Sequence, residues 1–223
     1  MNDALINVNG SNVQALDIML LMTVLTLLPS LVVMMTSFAR YVMVFSFLRT
    51  AMGTQQNPPN MVLVGMALIL TLFVMTPTMD AIKVDAYDPY VAGEISQEEF
   101  FDRAQIPIKK YMLSQTEISS LKLYCDMTGV QAPQSQEEAQ EMTLPLRVIL
   151  PAYVTTELKT AFLIGFLLYI PFLLIDIIVS STLMSMGMVM LPPSMISTPF
   201  KILLFIMLDG WPLLFSTLVG GIR

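Results

Sequence analysis

The chain has 223 residues, of which 55% are hydrophobic and only 13% charged, with a mean hydropathy of +0.71 and a formal net charge of −6. A soluble domain carries about a quarter charged residues, so this composition excludes an ordinary soluble enzyme and points to an integral membrane protein or a chain that packs into a membrane-associated assembly. The absence of histidine removes imidazole acid–base chemistry, Ser-His triads and most zinc sites. The single cysteine, Cys125, has no partner for an internal disulfide or a thiolate site, so no metal or cofactor is expected.

Residues 1–14 form a polar N-terminal segment without the basic region of a secretory signal peptide. A first apolar run covers 18–39 and is expected to continue as helix through Leu48; a second covers 61–79. Between them, Asn57-Pro58-Pro59-Asn60 stops one helix and starts the next, because proline cannot continue the helix before it. Residues 15–79 therefore read as one helical hairpin. The charges do not fix the orientation; Arg40 and Arg49 near the short 49–60 link only weakly favour the cytoplasmic side for it.

Residues 80–147 hold twelve acids and six bases, while the rest of the chain is electrically neutral. This acidic insertion is expected to be a small solvated helical region. Short helices are expected at 96–104, 106–120 and 116–124, the first opened by a Ser96/Glu99 capping box. Residues 131–141, rich in Gln and Glu, are expected to be a flexible loop. Residues 148–223 form the second hairpin, with apolar runs at about 160–184 and 194–218. The fold class that follows is all-α and membrane-associated: two long helical hairpins, with four apolar helices each near the length of about 20 residues that spans a bilayer, and an inserted small helical polar region.

The tip of the second hairpin carries Met184, Met186, Met188 and Met190 around Gly187, followed by Pro192-Pro193. A spacing of two puts these thioethers on one side only in an extended or looped backbone. Flexible, polarizable methionines suit a surface that reshapes around varied contacts; the plainer alternative is a Met-rich packed turn.

Charges in or beside the apolar runs are the next signal: Arg40, Arg49, Glu157, Lys159, Asp176, Lys201 and Asp209. A charge at a bilayer centre costs about 2.5–3.5 kcal/mol, so these side chains are expected to pair or to face protein or water. Asp176 and Lys201 lie at similar distances from the Met tip on opposite arms and could pair within a subunit or between neighbours. A packing salt bridge is the simpler reading and a proton or ion relay the alternative. Asp176 and Asp209 lack the Gly-x-Gly-Asp setting of an intramembrane aspartyl protease, and no enzymatic activity is expected.

Several motifs carry a resemblance across nearly the whole chain. They are Ser37-Phe38-Ala39-Arg40, Phe47-Leu48-Arg49-Thr50-Ala51-Met52-Gly53, Val84-Asp85-Ala86-Tyr87, Leu150-Pro151-Ala152-Tyr153-Val154, Glu157-Leu158-Lys159-Thr160-Ala161-Phe162, Ile170-Pro171-Phe172, Pro199-Phe200-Lys201 and Leu208-Asp209-Gly210-Trp211. In this order and spacing the chain resembles the FliP/SctR family of type III export apparatus proteins, the wording being closer to the flagellar branch than to the virulence injectisome branch. The resemblance implies a core subunit of an export gate in the bacterial inner membrane at the flagellar basal body. It implies five copies joined by FliQ-like and FliR-like subunits, working with FlhA- and FlhB-like components and passing unfolded flagellar proteins. It also implies that the Met-rich loop faces and seals the pore, with Met186, Met188, Val189 and Met190 at the gate. The family often has three consecutive methionines there, so Val189 is a departure; relatives also often begin with a cleavable signal. A small ion or solute channel stands as the alternative. No GxxxxGK[ST] motif is present, so energy is expected from a partner or the proton gradient.

Overall fold

The computed structural model describes residues 5–8, 11–188 and 190–222. Its architecture is all-α, with two long helical hairpins and a small helical polar region between them. The exception is an antiparallel pair of short strands, β1 (Leu5–Val8) and β2 (Ser11–Gln14), with Leu5 opposite Gln14 and Val8 opposite Ser11. The Asn9-Gly10 pair between them in the sequence is a strong hairpin signal, and the reading of residues 1–14 as a plain polar segment missed it.

The first apolar run is two helices, not one. Helix α1 covers Ala15–Met34 and α2 covers Phe38–Met52. The break falls at residues 35–37, where Ser37 starts the new helix and is fully buried. Helix α2 ends at Gly53, whose φ of 71° is the left-handed conformation that closes helices.

Helix α3 (Asn60–Ile82) starts after Pro59 and runs without interruption into a π-helical turn, Lys83–Tyr87, and a last turn, α4 (Asp88–Val91). The widening has a local cause. Pro89 has no N–H to give to the carbonyl of Asp85, and the Asp88 N–H reaches back to the Lys83 carbonyl across five residues.

The polar region is more regular than its composition suggests. Helix α5 (Gln97–Gln115) is continuous through Pro107, where two separate helices are expected from sequence. The carbonyl deprived of a donor there belongs to Arg103, an exposed residue that water can reach. The capping box forms: the Glu99 N–H donates to Ser96 Oγ and the Ser96 N–H donates to Glu99 Oε2. Helix α6 covers Ile118–Thr128. Helix α7 (Gln136–Glu141) occupies part of the expected loop. It is started by Ser135, whose Oγ accepts from the Glu138 N–H at 3.1 Å, the same cap signal in a stretch whose Gln and Glu content suggested disorder.

Helix α8 is 40 residues long, Leu146–Ser185, and begins 14 residues before the apolar run that marks it in sequence. Its first part packs in one core with α5, α6 and α7 through Val148, Ile149, Ala152 and Tyr153. Its middle packs against α2 in a second core built on Tyr41, Val44, Phe45 and Leu48. At Gly165 the Phe47 ring lies where a Cβ would stand, so only glycine allows that approach.

The last apolar run is also broken. Helix α9 (Pro193–Met207) and α10 (Gly210–Gly220) meet at a 63° bend. Asp209 sits there with φ 49°, a conformation aspartate tolerates better than most residues. The Phe205 ring occupies the space a Cβ on Gly210 would need. Trp211 then packs edge-on against Phe45 and Phe205. Two uninterrupted helical stretches, Asn60–Val91 and Leu146–Ser185, are long and apolar enough to cross a membrane among the described residues, and the bent α9–α10 pair is a third if it counts as one span.

Candidate functional site: a methionine tip on an ion-paired hairpin

The α8–α9 connection is closed by backbone bonds. Gly187 takes φ 73°, and the Met188 N–H donates to the Leu183 carbonyl at 3.0 Å. This six-to-one bond is the Schellman closure of a helix. Pro192 and Pro193 then start α9 with φ already fixed. Met184 is still helical, Met186 caps α8, and Met188 and Met190 lie in the turn, so the spacing of two does not run along one extended strand. Val189 lies outside the described residues. Met184, Met186, Met188 and Met190 are 67%, 67%, 41% and 98% exposed. Within one subunit they are not a packed core.

Below the tip a polar junction joins three helices. Lys201 on α9 donates to Asp176 Oδ2 on α8 at 2.6 Å and to the Ala51 carbonyl at the end of α2 at 3.1 Å. Ser197 Oγ donates to Asp176 Oδ1 at 2.7 Å. The Ala51 carbonyl is among the last four of its helix, which have no partner along the helix itself, so the ammonium satisfies it and complements the negative end of α2. The Lys201 side chain is 6% exposed and that of Asp176 33%. The pair therefore lies within a single subunit, one of the two arrangements the sequence left open.

A second ion pair sits further from the tip. Arg40 on α2 meets Glu157 on α8 through two nitrogens, Nε donating to Oε2 at 2.8 Å and the Nη2 nitrogen to Oε1; both side chains are almost fully buried. The Ser37 hydroxyl lies beside those of Tyr41 and Tyr111, and Tyr111 faces Tyr153 with ring centres 6.2 Å apart. None of these four hydroxyls makes a hydrogen bond of good geometry among the described residues. Burial pushes the Tyr111 phenol above its ordinary range.

The other charges serve different ends. Arg49 donates to Asn60 Oδ1 at 2.5 Å and to the Pro58 carbonyl, stapling the α2–α3 link. Lys159 pairs with Glu117 at 2.6 Å on the surface, joining α8 to the start of α6. Asp209 is exposed at the α9–α10 bend. Sequence reasoning missed the supporting groups: Ser197, the Ala51 carbonyl, the buried hydroxyls and the Phe47–Gly165 contact. Gly165 alone left a trace, as a glycine inside a helix where alanine would cost less.

A model of the FliP family matches residues 21–218. The chain belongs to the FliP family. Among relatives, this FliP-family chain is 46% identical to the flagellar biosynthetic protein FliP of Aquifex aeolicus, over 94% of the chain and 87% of the relative. It is 46% identical to that of Bacillus subtilis, over 91% and 89%. It is 48% identical to that of Buchnera aphidicola subsp. Baizongia pistaciae, over 88% of the chain but only 53% of that longer relative.

Proposed function

We propose that this chain is a pore-forming core subunit of the flagellar type III export gate in the bacterial inner membrane, and not an enzyme. In this reading several copies, five by the family resemblance, join FliQ-like and FliR-like subunits around one axis. FlhA- and FlhB-like components deliver unfolded flagellar proteins to the gate. The chain divides into the N-terminal segment 1–14, a first hairpin 15–79, the acidic helical insertion 80–147 and a second hairpin 148–223 that carries the gate. The three relatives described above are flagellar biosynthetic proteins, which favours this reading over the injectisome and over an ion channel.

The observation that carries the reading is the exposure of four methionine side chains on a turn whose base is fixed by a three-helix polar junction. Copies of such a tip around an axis make a ring of soft apolar groups. An apolar constriction excludes water and closes a pore by dewetting. Methionine has three rotatable side-chain bonds and gives way to an unfolded chain without a unique fit. Met186, Met188, Val189 and Met190 supply the ring; Asp176 and Lys201 hold it in place.

The test is the Met188→Ala/Met190→Ala double variant in cells, read by inner-membrane permeability, complex assembly and secretion of a flagellar substrate. Normal assembly, a leakier membrane and at least partial secretion are expected. A membrane as tight as wild type with normal assembly makes the tip a mere turn and removes the seal.

A further inference from the structure

The acidity of the insertion is confined to its first third. Residues 80–102 carry seven acids and one base, whereas 103–147 carry five of each. The same short stretch exposes a group of large apolar side chains: Val84, Tyr87, Tyr90, Val91 and Phe101. Residues 84, 87 and 91 share one helical face. The π-helical turn packs against α5, and Tyr90 meets Phe100 at 5.2 Å, which in turn meets Phe101 at 5.4 Å, so the group is continuous across the two helices. Asp85, Asp88, Glu94, Glu98 and Asp102 are exposed around it.

Lipid does not account for this patch. The uncharged part of α3, residues 61–79, is about 28 Å long at ~1.5 Å per residue, enough for a hydrocarbon layer of about 30 Å. Val84 to Val91 lie on the continuation of the same helix, after Asp80 and Lys83, beyond that layer. An anionic leaflet repels a surface of net charge −6. A second copy of this chain is a poorer match: its most basic stretch, with Arg103, Lys109 and Lys110, carries three positive charges against the six net negative ones here, and it lies on the same helix α5 as Glu98, Glu99 and Asp102, so a copy that offers its bases brings as many acids to the face.

We propose that this aromatic, acid-rimmed face of the π turn, α4 and the start of α5 is a docking surface for a different polypeptide that presents a basic segment with apolar side chains. The aromatic rings supply the buried anchor area and the carboxylates select the charge of the partner. The inference does not depend on the seal assigned to the methionine tip.

The experiment places a photo-crosslinking p-benzoylphenylalanine at Phe101, and separately at Tyr87, in the full chain in cells, and identifies the adduct and the crosslinked peptide by mass spectrometry. An adduct to another protein, at a segment of net positive charge, is expected at both positions. Glu94→Lys/Glu98→Lys/Asp102→Lys should reduce that adduct at least tenfold while the complex still assembles; these three changes leave the Ser96/Glu99 cap intact. Adducts to a second copy of this chain, to lipid alone, to a neutral or acidic segment, or to nothing overturn the proposal. So does an adduct that survives the triple charge reversal in an assembled complex.

Discussion

Removing Asp176 should harm this protein more than removing Lys201, although the two form one pair. Asp176→Ala leaves an ammonium that is 6% exposed and that, among the described residues, keeps only its hydrogen bond to the Ala51 carbonyl at 3.1 Å. A stranded buried charge costs about 3–5 kcal/mol. Lys201→Met leaves a carboxylate that is one-third exposed and still accepts from Ser197 at 2.7 Å. Water screens it, so the cost falls to about 1–2 kcal/mol, between an exposed pair and a charged hydrogen bond. The double variant Asp176→Ala/Lys201→Met removes both charges and should be more stable than Asp176→Ala alone. The swap Asp176→Lys/Lys201→Asp should recover little, because the new carboxylate would face the Ala51 carbonyl. The assay is thermal unfolding of the detergent-purified complex followed by the fluorescence of Trp211, the one tryptophan, which packs between Phe45, Phe205 and Phe215 in the same core. If Lys201→Met proves as damaging as Asp176→Ala, or if the double variant is no better than Asp176→Ala, the stranded-charge reasoning is refuted.

Gly165→Ala forces a Cβ into the Phe47 ring and should cost about 1–3 kcal/mol as overpacking; in the same melt, Phe47→Leu on that background should recover part of the loss, and a neutral Gly165→Ala would contradict the contact. Cys125 is fully buried and burial pushes its thiol up; a raised value means less thiolate at any given pH, so maleimide labelling at pH 7–8 should be slow in the folded chain and fast only in denaturant, with rapid native labelling as the contrary result. Expression without FliR-like and FliQ-like companions should give low yield or incomplete rings on native mass spectrometry, whereas abundant monodisperse monomer in mild detergent would show that the apolar faces need no partner.

The hairpin plan was legible because it rests on long apolar runs and on proline pairs, which act locally. The ends of the helices were not. Apolar runs mark what faces lipid or protein, whereas helices obey hydrogen bonding, so α8 begins at Leu146, well before the run that betrays it. The break at Ser37 was hidden because no proline or glycine lies beside it, and it depends on burial of Ser37 next to Tyr111 of α5; that at Asp209 carried an Asp209-Gly210 turn signal with Pro212 close behind, which the uninterrupted apolar run masked, and it rests on the left-handed backbone of Asp209 beside the aromatic contact at Gly210. Of the site, the charged residues were visible as charges in apolar surroundings. The Asp176–Lys201 pairing was legible too, from their similar distances to the tip; the Arg40–Glu157 pairing was not, since the two are 117 residues apart, nor was the Ala51 carbonyl, which belongs to the backbone that a sequence does not mark.

The exposed surface of α8 argues most directly that this fold is part of a larger one. Large apolar side chains stand exposed along it from Leu158 to Met184, including Phe162, Phe166, Leu167, Ile170, Leu174 and Ile178. That is a length of about 40 Å at ~1.5 Å per residue, longer than a hydrocarbon layer of about 30 Å. Tilt could absorb the excess only if the helix were free to lean, yet α8 is tied to α2 by Arg40–Glu157 and to α9 and α2 by Asp176–Lys201. Both ties bring charges into an apolar setting, three of the four nearly buried and Asp176 one-third exposed, where replacing a buried pair by hydrocarbon is often neutral or stabilising. Their value here is geometric: bidentate and three-way contacts fix the rotation and axial position of three helices, which hydrocarbon packing alone leaves looser. A subunit so fixed presents one apolar face at one angle. Such a face gains most when it meets an equally fixed neighbour, and the methionine turn at its end is then delivered to the same point by every copy.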